Sequence, residues 1–220
     1  MNVIPFRPRA AEPEPLAFAI GARVDLRVGA LAAGVLRPLG PAKDAFGYSN
    51  LARLIRGARM AWLERGAHAV LTLALPAELQ NALEADLLNE AAIEAGCTRT
   101  SLNFQLHERQ VVMAGPALAE ELRARGWNVV LRGDAECPLP FGARARNLYY
   151  ELVIEAPALP DPFLAMEDGD RSPLGRRLLA AKAAGLILTA ESVLTPMHAR
   201  KLAIAGFDRG GGPFAEAGLR

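Results

Sequence analysis

Apolar residues follow two different periods along the chain, and the two alternate. From Ser49 onward, amphipathic stretches with the period of a helix are followed by short apolar runs of strand length, and a glycine ends most of the helical stretches. The predicted helices are Asn50–Arg65, Ala77–Ala95, Pro116–Arg125, Pro173–Ala184 and the segment from Thr195-Pro196 to Gly206. The predicted strands are Ala69–Leu75, Ser101–Leu106, Trp127–Arg132, Tyr149–Ile154, Leu186–Ala190 and a last short strand near Phe207.

Two apolar segments precede this alternation. Leu16–Leu26 and Ala30–Arg37 flank the turn sequence Arg27-Val28-Gly29, which predicts a β-hairpin. Helix–strand alternation implies parallel strands, because each crossover returns the chain in the same direction. We therefore expect an α/β fold with roughly eight strands closed into a TIM-like (β/α)8 barrel. An open doubly wound sheet is less favoured, because no glycine-rich phosphate loop follows the first strand.

The chain divides into a short N-terminal segment and one domain. Residues 1–15 contain four prolines and no hydrophobic period, so we expect a flexible proline-rich tail, with a docking peptide as the alternative. Residues 16–220 then form the barrel. The alternation of predicted helices and strands runs through this part of the chain, and 220 residues are enough for a single α/β barrel.

Charge and cysteine content exclude several function classes. The formal net charge is +1, so no overall field favours nucleic acid or an acidic membrane surface. The two cysteines, Cys97 and Cys137, lack the spacing of a metal site. The sequence shows no signal peptide and no apolar run of membrane-spanning length, so the expected location is the cytoplasm.

The C-terminal stretch Leu186–Phe214 carries a recognisable arrangement. It predicts a strand with Glu191 just past its end, then a capped helix, and then a glycine-rich loop. Its order resembles the C-terminal signature of EAL-domain cyclic-di-GMP phosphodiesterases, in which Ala-Glu-Gly-Val-Glu-Thr is followed by a helix, Gly-x-Asp and a Gln-Gly loop. The corresponding residues are Ala190-Glu191-Ser192-Val193-Leu194-Thr195, Gly206-Phe207-Asp208 and Gly210-Gly211-Gly212.

The resemblance extends over most of the chain, from about Leu16 to Phe214, and implies a barrel with one antiparallel strand from the N-terminal hairpin. It also implies a site at the carboxyl ends of the strands, where carboxylate and amide oxygens bind two metals. Glu191 and Glu108 match family glutamates and are interpreted as relics of that site. Other family positions have lost their side chains or changed them: Ala33, Ala74, Gln105, Arg132, Gly133, Val153, Leu194 and Gly211.

These losses predict a barrel without phosphodiesterase activity, bound metal or cofactor. The candidates for ligand binding are Arg37, Arg132 and Glu191. The two arginines could clamp a phosphate, and Arg37 could equally form an ion pair within the scaffold. We expect Glu191 to face Arg132 and pair with it, and Glu108 to serve as a structural acceptor in a loop.

Family members that have lost these motifs often bind other proteins, which implies a regulatory interaction module in bacterial signalling of the motility or biofilm type. A cyclic-di-GMP receptor without hydrolysis is the first alternative, and a weak phosphodiesterase is the second. The candidate interface is the loop Ala135–Asn147, with Phe141 beside Arg144 and Arg146. EAL barrels commonly pair through the corresponding region, so a homodimer is also considered.

Overall fold

The computed structural model describes residues 16–39, 47–76, 78–79, 81–133, 145–158 and 173–217. The predicted tail, residues 1–15, lies outside this part of the chain. So do the interface candidates Phe141 and Arg144 and most of the loop that contains them. The fold and the site are therefore built from the described ranges.

Eight strands close into a barrel in the order of the sequence. β1 is antiparallel to both of its neighbours, β2 and β8, and every other pair is parallel. The predicted α/β barrel with one antiparallel strand is confirmed. The strands are β1 Phe18–Asp25, β2 Leu31–Pro38, β3 Val70–Ala74, β4 Leu102–His107, β5 Asn128–Arg132, β6 Glu151–Glu155, β7 Ile187–Glu191 and β8 Arg209–Gly211.

Helices connect and cover the strands. The α-helices of the described ranges are α1 Tyr48–Glu64, α2 Glu84–Glu94, α3 Glu108–Ala114, α4 Ala117–Ala124, α5 Ala145–Leu148, α6 Pro173–Ala183, α7 Pro196–Ala205 and α8 Pro213–Ala217. None of these helices is long and apolar enough to cross a bilayer.

Helix α7 shows how local sequence fixes an element. The Thr195 hydroxyl accepts a hydrogen bond from the His198 backbone N–H at 3.2 Å, and Pro196 occupies the first helical turn, where a backbone N–H has no partner in the helix. Gly206 ends the helix with φ 96°, in the left-handed region that glycine adopts without a steric penalty. The predicted bounds of this helix are confirmed.

Two local predictions were wrong, and one helix was missed. Helix α2 begins at Glu84 rather than Ala77, because Asn81 forms a local turn, donating its backbone N–H to the Glu84 carboxylate and accepting from the Leu83 N–H. Helix α3 was not predicted. The triple glycine, predicted as a glycine-rich loop, belongs largely to strand β8, which closes the barrel against β1.

Apolar side chains and buried polar side chains occupy opposite sides of the strands. Leu71, Leu73, Leu102 and Phe104 belong to the large apolar core between strands and helices. Alternate positions of the same strands, including Thr72 and Gln105, are also buried but polar. Further buried polar residues come from three other strands: Arg23, Glu151, Thr189 and Glu191. The interior of this barrel therefore holds a cluster of polar side chains beside apolar ones such as Val130 and Val153, whereas bulky apolar residues fill a typical TIM barrel.

Candidate functional site

The guanidinium of Arg23, on β1, lies at the centre of the buried polar cluster and is fully shielded from solvent. It donates four hydrogen bonds to three side chains. Nε and Nη2 reach the Glu191 Oε1 atom at 2.8 and 2.5 Å. Nη1 reaches Glu151 Oε1 at 3.0 Å, and Nη2 also reaches Gln105 Oε1 at 2.6 Å. One arginine thus joins strands β4, β6 and β7 from β1.

Glu191 binds two arginines through its two oxygens. Oε1 accepts from Arg23, and Oε2 accepts from Arg37 Nη2 at 2.6 Å. Burial alone would raise the pKa of the Glu191 carboxyl, but the charges of Arg23 and Arg37 and the hydrogen bond from Arg23 outweigh it. The pKa therefore lies below its ordinary value. The two arginines thus favour the ionised form of Glu191, which burial alone would disfavour.

Glu151 is the second buried carboxylate, and it is bonded in the same way. Its Oε1 accepts from Arg23 and from the Thr189 hydroxyl, the latter at 2.7 Å. Its Oε2 accepts from Arg209 Nη1 at 2.8 Å. Each buried carboxylate therefore gives one oxygen to Arg23 and the other to a second arginine, a pairing that satisfies buried charge on both sides.

Small residues on both neighbouring strands make room for Arg23. Its register partner on β2 is Ala33, and its register partner on β8 is Gly211. A Cβ atom on Gly211 would lie 3.4 Å from the Arg23 Cγ and 3.3 Å from the Ala22 carbonyl oxygen. Ala33 and Gly211 are both positions where the EAL pattern has a longer polar side chain, so the arginine lies where those side chains would extend.

A second ion pair lies at the carboxyl ends of the strands, which we call the rim. Arg132 Nη2 donates to Glu155 Oε1 at 2.5 Å, and the Ser192 hydroxyl donates to Glu155 Oε2 at 2.8 Å. Ser192 has φ 60°, in the left-handed region that suits glycine, and it stands where the EAL signature has glycine. The serine thus adopts a strained backbone and contributes a hydrogen bond that glycine lacks.

Glu108 forms a third pair beside β4. It is fully buried at the start of α3 and accepts from Arg177 Nη2, on α6, at 2.5 Å. A Cβ atom on Gly133 would lie 2.6 Å from Ile154 Cδ1 and 3.0 Å from Arg177 Nη2. The absence of a side chain at Gly133 therefore leaves room for Arg177 beside Glu108.

The structure brings some predicted site residues together and separates others. Arg37 and Glu191 form the ion pair that was one of the two predicted roles of Arg37. The predicted pair between Glu191 and Arg132 was wrong, because Arg23 and Arg37 already bind both oxygens of Glu191, and Arg132 binds Glu155 instead. Arg146 is exposed on α5, while the neighbouring candidates Phe141 and Arg144 lie outside the described residues.

Sequence reasoning missed Arg23, Glu151 and Arg177, which organise the buried network. A weak signal was present for the first two. Arg23 interrupts the apolar alternation of β1 between Ala22 and Val24, and Glu151 opens an otherwise apolar strand. A charged residue among apolar strand positions is either at the solvent face or paired inside, and the sequence does not distinguish these cases.

A small cleft opens at the mouth of the barrel beside this network. It encloses about 90 Å³ and is lined by Arg37, Glu191, Ser192, Pro213 and Glu216, among others. Ligand sites usually enclose roughly 300–1,000 Å³. The cleft therefore has room for a small polar group but not for a dinucleotide in the observed arrangement.

The residues of the barrel centre do not fit the pair of divalent metals that the EAL pattern implies. Ala33, Ala74 and Gly211 have no side-chain oxygen, and Gln105 offers an amide oxygen and no carboxylate. Glu151 and Glu191, the buried carboxylates that the described residues place inside the barrel, have all four oxygens bonded to arginines. Among the described residues, no three or more His, Cys, Asp or Glu side chains form a group that could hold a metal.

Comparison with known proteins connects this fold with one group of solved structures. No protein-family model matches the sequence, and no curated protein matches it either. Solved structures do match. The PaMucR phosphodiesterase in complex with c-di-GMP is 19% identical with a TM-score of 0.66, and the alignment covers 90% of this chain and 94% of that one.

Two further structures have similar values. The EAL domain of Mycobacterium smegmatis DcpA is 21% identical with a TM-score of 0.67, covering 93% of this chain and 96% of that one. Klebsiella pneumoniae BlrP1, in a complex with calcium and cyclic-diGMP, is 14% identical with a TM-score of 0.71. The alignment covers 94% of this chain but only 57% of BlrP1. The chain therefore has the fold of EAL domains.

Proposed function

We propose that this chain is an EAL-like barrel of the cyclic-di-GMP signalling pathway that has lost phosphodiesterase chemistry and acts by binding another protein. The observation that carries the proposal is the guanidinium of Arg23 at the barrel centre, bonded to Gln105, Glu151 and Glu191. Two-metal hydrolysis needs divalent ions that clamp the phosphodiester and activate a water molecule. A guanidinium supplies charge but no Lewis-acid position for that water.

The pathway assignment rests on similarity of fold and on the altered motifs. The PaMucR and BlrP1 structures are complexes with cyclic-di-GMP, which makes this dinucleotide the first ligand to test here. A cytoplasmic location is part of the same proposal, and a fluorescent fusion examined in cells tests it.

The interaction role is supported by exposed apolar side chains close to the rim. Leu83, Met113, Leu194 and Met197 lie in the connections that follow β3, β4 and β7, and between 65 and 76% of each is exposed. Exposed large apolar residues that form a contiguous patch mark a surface that another protein covers, and these four are the candidates for such a patch. The predicted candidates Phe141 and Arg144 lie outside the described residues, and Arg146 lies near the amino ends of β5 and β6, at the end of the barrel opposite the rim.

A receptor that binds cyclic-di-GMP without hydrolysis is the second candidate, and one observation favours it. Arg37 and Arg132 keep 43 and 36% of their side chains exposed at the rim, where a phosphate could reach them. Each of them is already paired with a carboxylate, and the adjoining cleft is small. Binding would therefore require both ion pairs to open, which is why the receptor is not our first proposal.

A hydrolysis assay tests the loss of chemistry. The purified chain is incubated with cyclic-di-GMP and either Mg²⁺ or Mn²⁺, and the linear dinucleotide product is measured by chromatography, with PaMucR phosphodiesterase as the positive control. We expect no product. Turnover that disappears in the Glu191→Ala variant would overturn the proposal, and saturable binding without turnover would favour the receptor.

A capture experiment tests the interaction role. The wild-type chain, the double variant Leu194→Ser/Met197→Ser and the variants Phe141→Ala and Arg144→Ala are compared as baits. Ile93→Ser serves as the control, because Ile93 is exposed to 54% on α2 near the end opposite the rim. We expect a rim variant to lose a partner that the control retains. If all variants capture the same proteins, the rim is not the interface.

A further inference from the structure

We propose that the Arg23 guanidinium takes the place of a divalent metal ion at the centre of the barrel. Without Arg23, the same oxygens would bind such an ion. Three oxygens from three strands converge on its guanidinium: Gln105 Oε1, Glu151 Oε1 and Glu191 Oε1, each within 3.0 Å of a guanidinium nitrogen. Two carboxylates and an amide carbonyl are the oxygen ligands that Mg²⁺, Mn²⁺ and Ca²⁺ prefer. The arginine occupies the position to which these oxygens are directed.

The neighbouring arginines keep this site preorganised. Arg37 binds the second oxygen of Glu191, and Arg209 binds the second oxygen of Glu151. Removing Arg23 would therefore take the cation away from one oxygen of each carboxylate, while the other oxygen stays bonded to its second arginine. The hydroxyl of Thr189 also remains on Glu151 and fixes its orientation. A metal entering the variant would meet ligands that are already held in place.

Arg23 and longer metal-binding side chains at the neighbouring positions could not be present together, because they would occupy the same volume. Its register partners are Ala33 and Gly211, and the Arg23 Cγ would lie 3.4 Å from a Cβ atom on Gly211. A longer polar side chain at either position would compete with the arginine for the same volume. Arg23 therefore fits inside the barrel only because residues 33 and 211 are small.

The consequence is a barrel whose internal charge balance does not depend on a metal. Arginine stays protonated at every pH at which the protein is folded, whereas a bound metal leaves when the surrounding concentration falls. With Arg23 present, two buried carboxylates are compensated in the presence of a chelator as well as in its absence. The folded state of the wild-type chain should therefore respond neither to EDTA nor to Mn²⁺.

Titration with Mn²⁺ tests this inference, because the electron spin resonance signal of aqueous Mn²⁺ falls when the ion binds. The samples are the wild-type chain, Arg23→Ala, Arg23→Ala/Glu191→Gln, and Arg125→Ala as the control. Arg125 pairs with Asp86 on the outer surface, away from the barrel interior. Melting temperatures in Mn²⁺ and in EDTA are recorded for the same samples, so that the readout does not depend on turnover.

We expect the wild-type chain and Arg125→Ala to show no Glu191-dependent Mn²⁺ binding and no difference between the two melting temperatures. We expect Arg23→Ala to bind one equivalent of Mn²⁺ and to melt at a higher temperature in Mn²⁺ than in EDTA, and the double variant to lose both effects. A second variant, Arg23→Ser, is carried through the same series.

Three results would overturn the inference. The first is Mn²⁺ binding by the wild-type chain that Glu191→Gln abolishes, because Arg23 would then not close the site. The second is a folded Arg23→Ala or Arg23→Ser variant that binds no Mn²⁺. The third is failure of both variants to fold even with Mn²⁺ present, because a metal that takes the place of the guanidinium should restore the missing charge.

Discussion

Arg23 and Gly211 face each other across the pair of strands that closes the barrel. The absence of a side chain at Gly211 leaves room for the long side chain of Arg23. They are register partners on β1 and β8, and a Cβ atom on Gly211 would lie 3.4 Å from the Arg23 Cγ. The longest cationic side chain thus lies beside a residue with no side chain. This match connects the buried ion network with the absence of a side chain at position 211.

The variant Gly211→Gln should therefore destabilise the wild-type chain by about 1–3 kcal/mol, the usual cost of overpacking a core. Urea unfolding at neutral pH measures this change. In an Arg23→Ala background the cost should be smaller, because the arginine stem no longer competes for the volume. Part of the cost should persist, since the Ala22 carbonyl oxygen would lie 3.3 Å from the new Cβ atom.

A double-mutant cycle of these two substitutions provides the control. Gly211→Gln, Arg23→Ala and the double variant are unfolded under the same conditions, and the free energies of unfolding are compared. Strict additivity of the two single effects would contradict the account, because residues that compete for one volume should be coupled.

The sequence predicts the barrel well because its main signals are local. Each helix–strand unit carries its own periodicity, and the capped helix from Thr195-Pro196 to Gly206 contains its start and stop signals within a dozen residues. The hairpin of β1 and β2 is equally local. Strand β8 is only three residues long and consists mostly of glycine, so it has no hydrophobic pattern to recognise.

The buried network could not be predicted in the same way. Whether Arg23 points into the barrel or into solvent depends on its pairing with β2 and β8, and β8 lies far along the chain. Because Arg23 was not recognised as a residue of the barrel interior, Glu191 was wrongly predicted to pair with Arg132. Once Arg23 and Arg37 bind Glu191, Arg132 pairs with Glu155, a neighbour that the sequence pattern did not single out.

The variant Glu191→Gln should destabilise the chain at neutral pH by about 3 kcal/mol or more, because it leaves two arginines without the charge that compensates them. The pKa of Glu191 is lowered from 4.5. Its contribution to stability is therefore complete above that value and is lost as the pH falls through the lowered pKa of the folded state. Urea unfolding at a series of pH values measures both effects.

The pH dependence distinguishes this role from a simple packing defect. Between neutral and acidic pH, Glu191→Gln should lose less stability than the wild-type chain, because its titrating group is gone. Glu94→Gln serves as the control, since Glu94 pairs with Arg56 on the outer surface. If Glu191→Gln and the wild-type chain lose stability in parallel as the pH falls, Glu191 is not ionised in the folded state as we describe.

The variant Arg177→Met should destabilise the chain by about 3–5 kcal/mol, because it removes the cation that faces the fully buried carboxylate of Glu108. The double variant Arg177→Met/Glu108→Gln should recover part of this loss. Chemical unfolding measures the differences, with Arg125→Met as the surface control. An unchanged free energy of unfolding in Arg177→Met would mean that the pair does not connect α6 to the barrel.

Tyrosine titration tests the environment at the end of α5. Burial, assisted by the charges of Glu108 and Glu120, raises the pKa of Tyr149 from 10 to about 12. Because the folded state holds this proton more tightly, the contribution of Tyr149 to stability is complete below pH 10 and is lost as the pH rises through about 12. Tyrosinate absorbance should show a late-titrating group that Tyr149→Phe removes.

The most direct test of the account is anomalous diffraction from crystals of the wild-type chain soaked in Mn²⁺. We predict electron density for the Arg23 guanidinium between Gln105, Glu151 and Glu191, and no anomalous peak among their oxygens. An anomalous peak coordinated by Glu191, with Arg23 displaced from the barrel centre, would contradict the account.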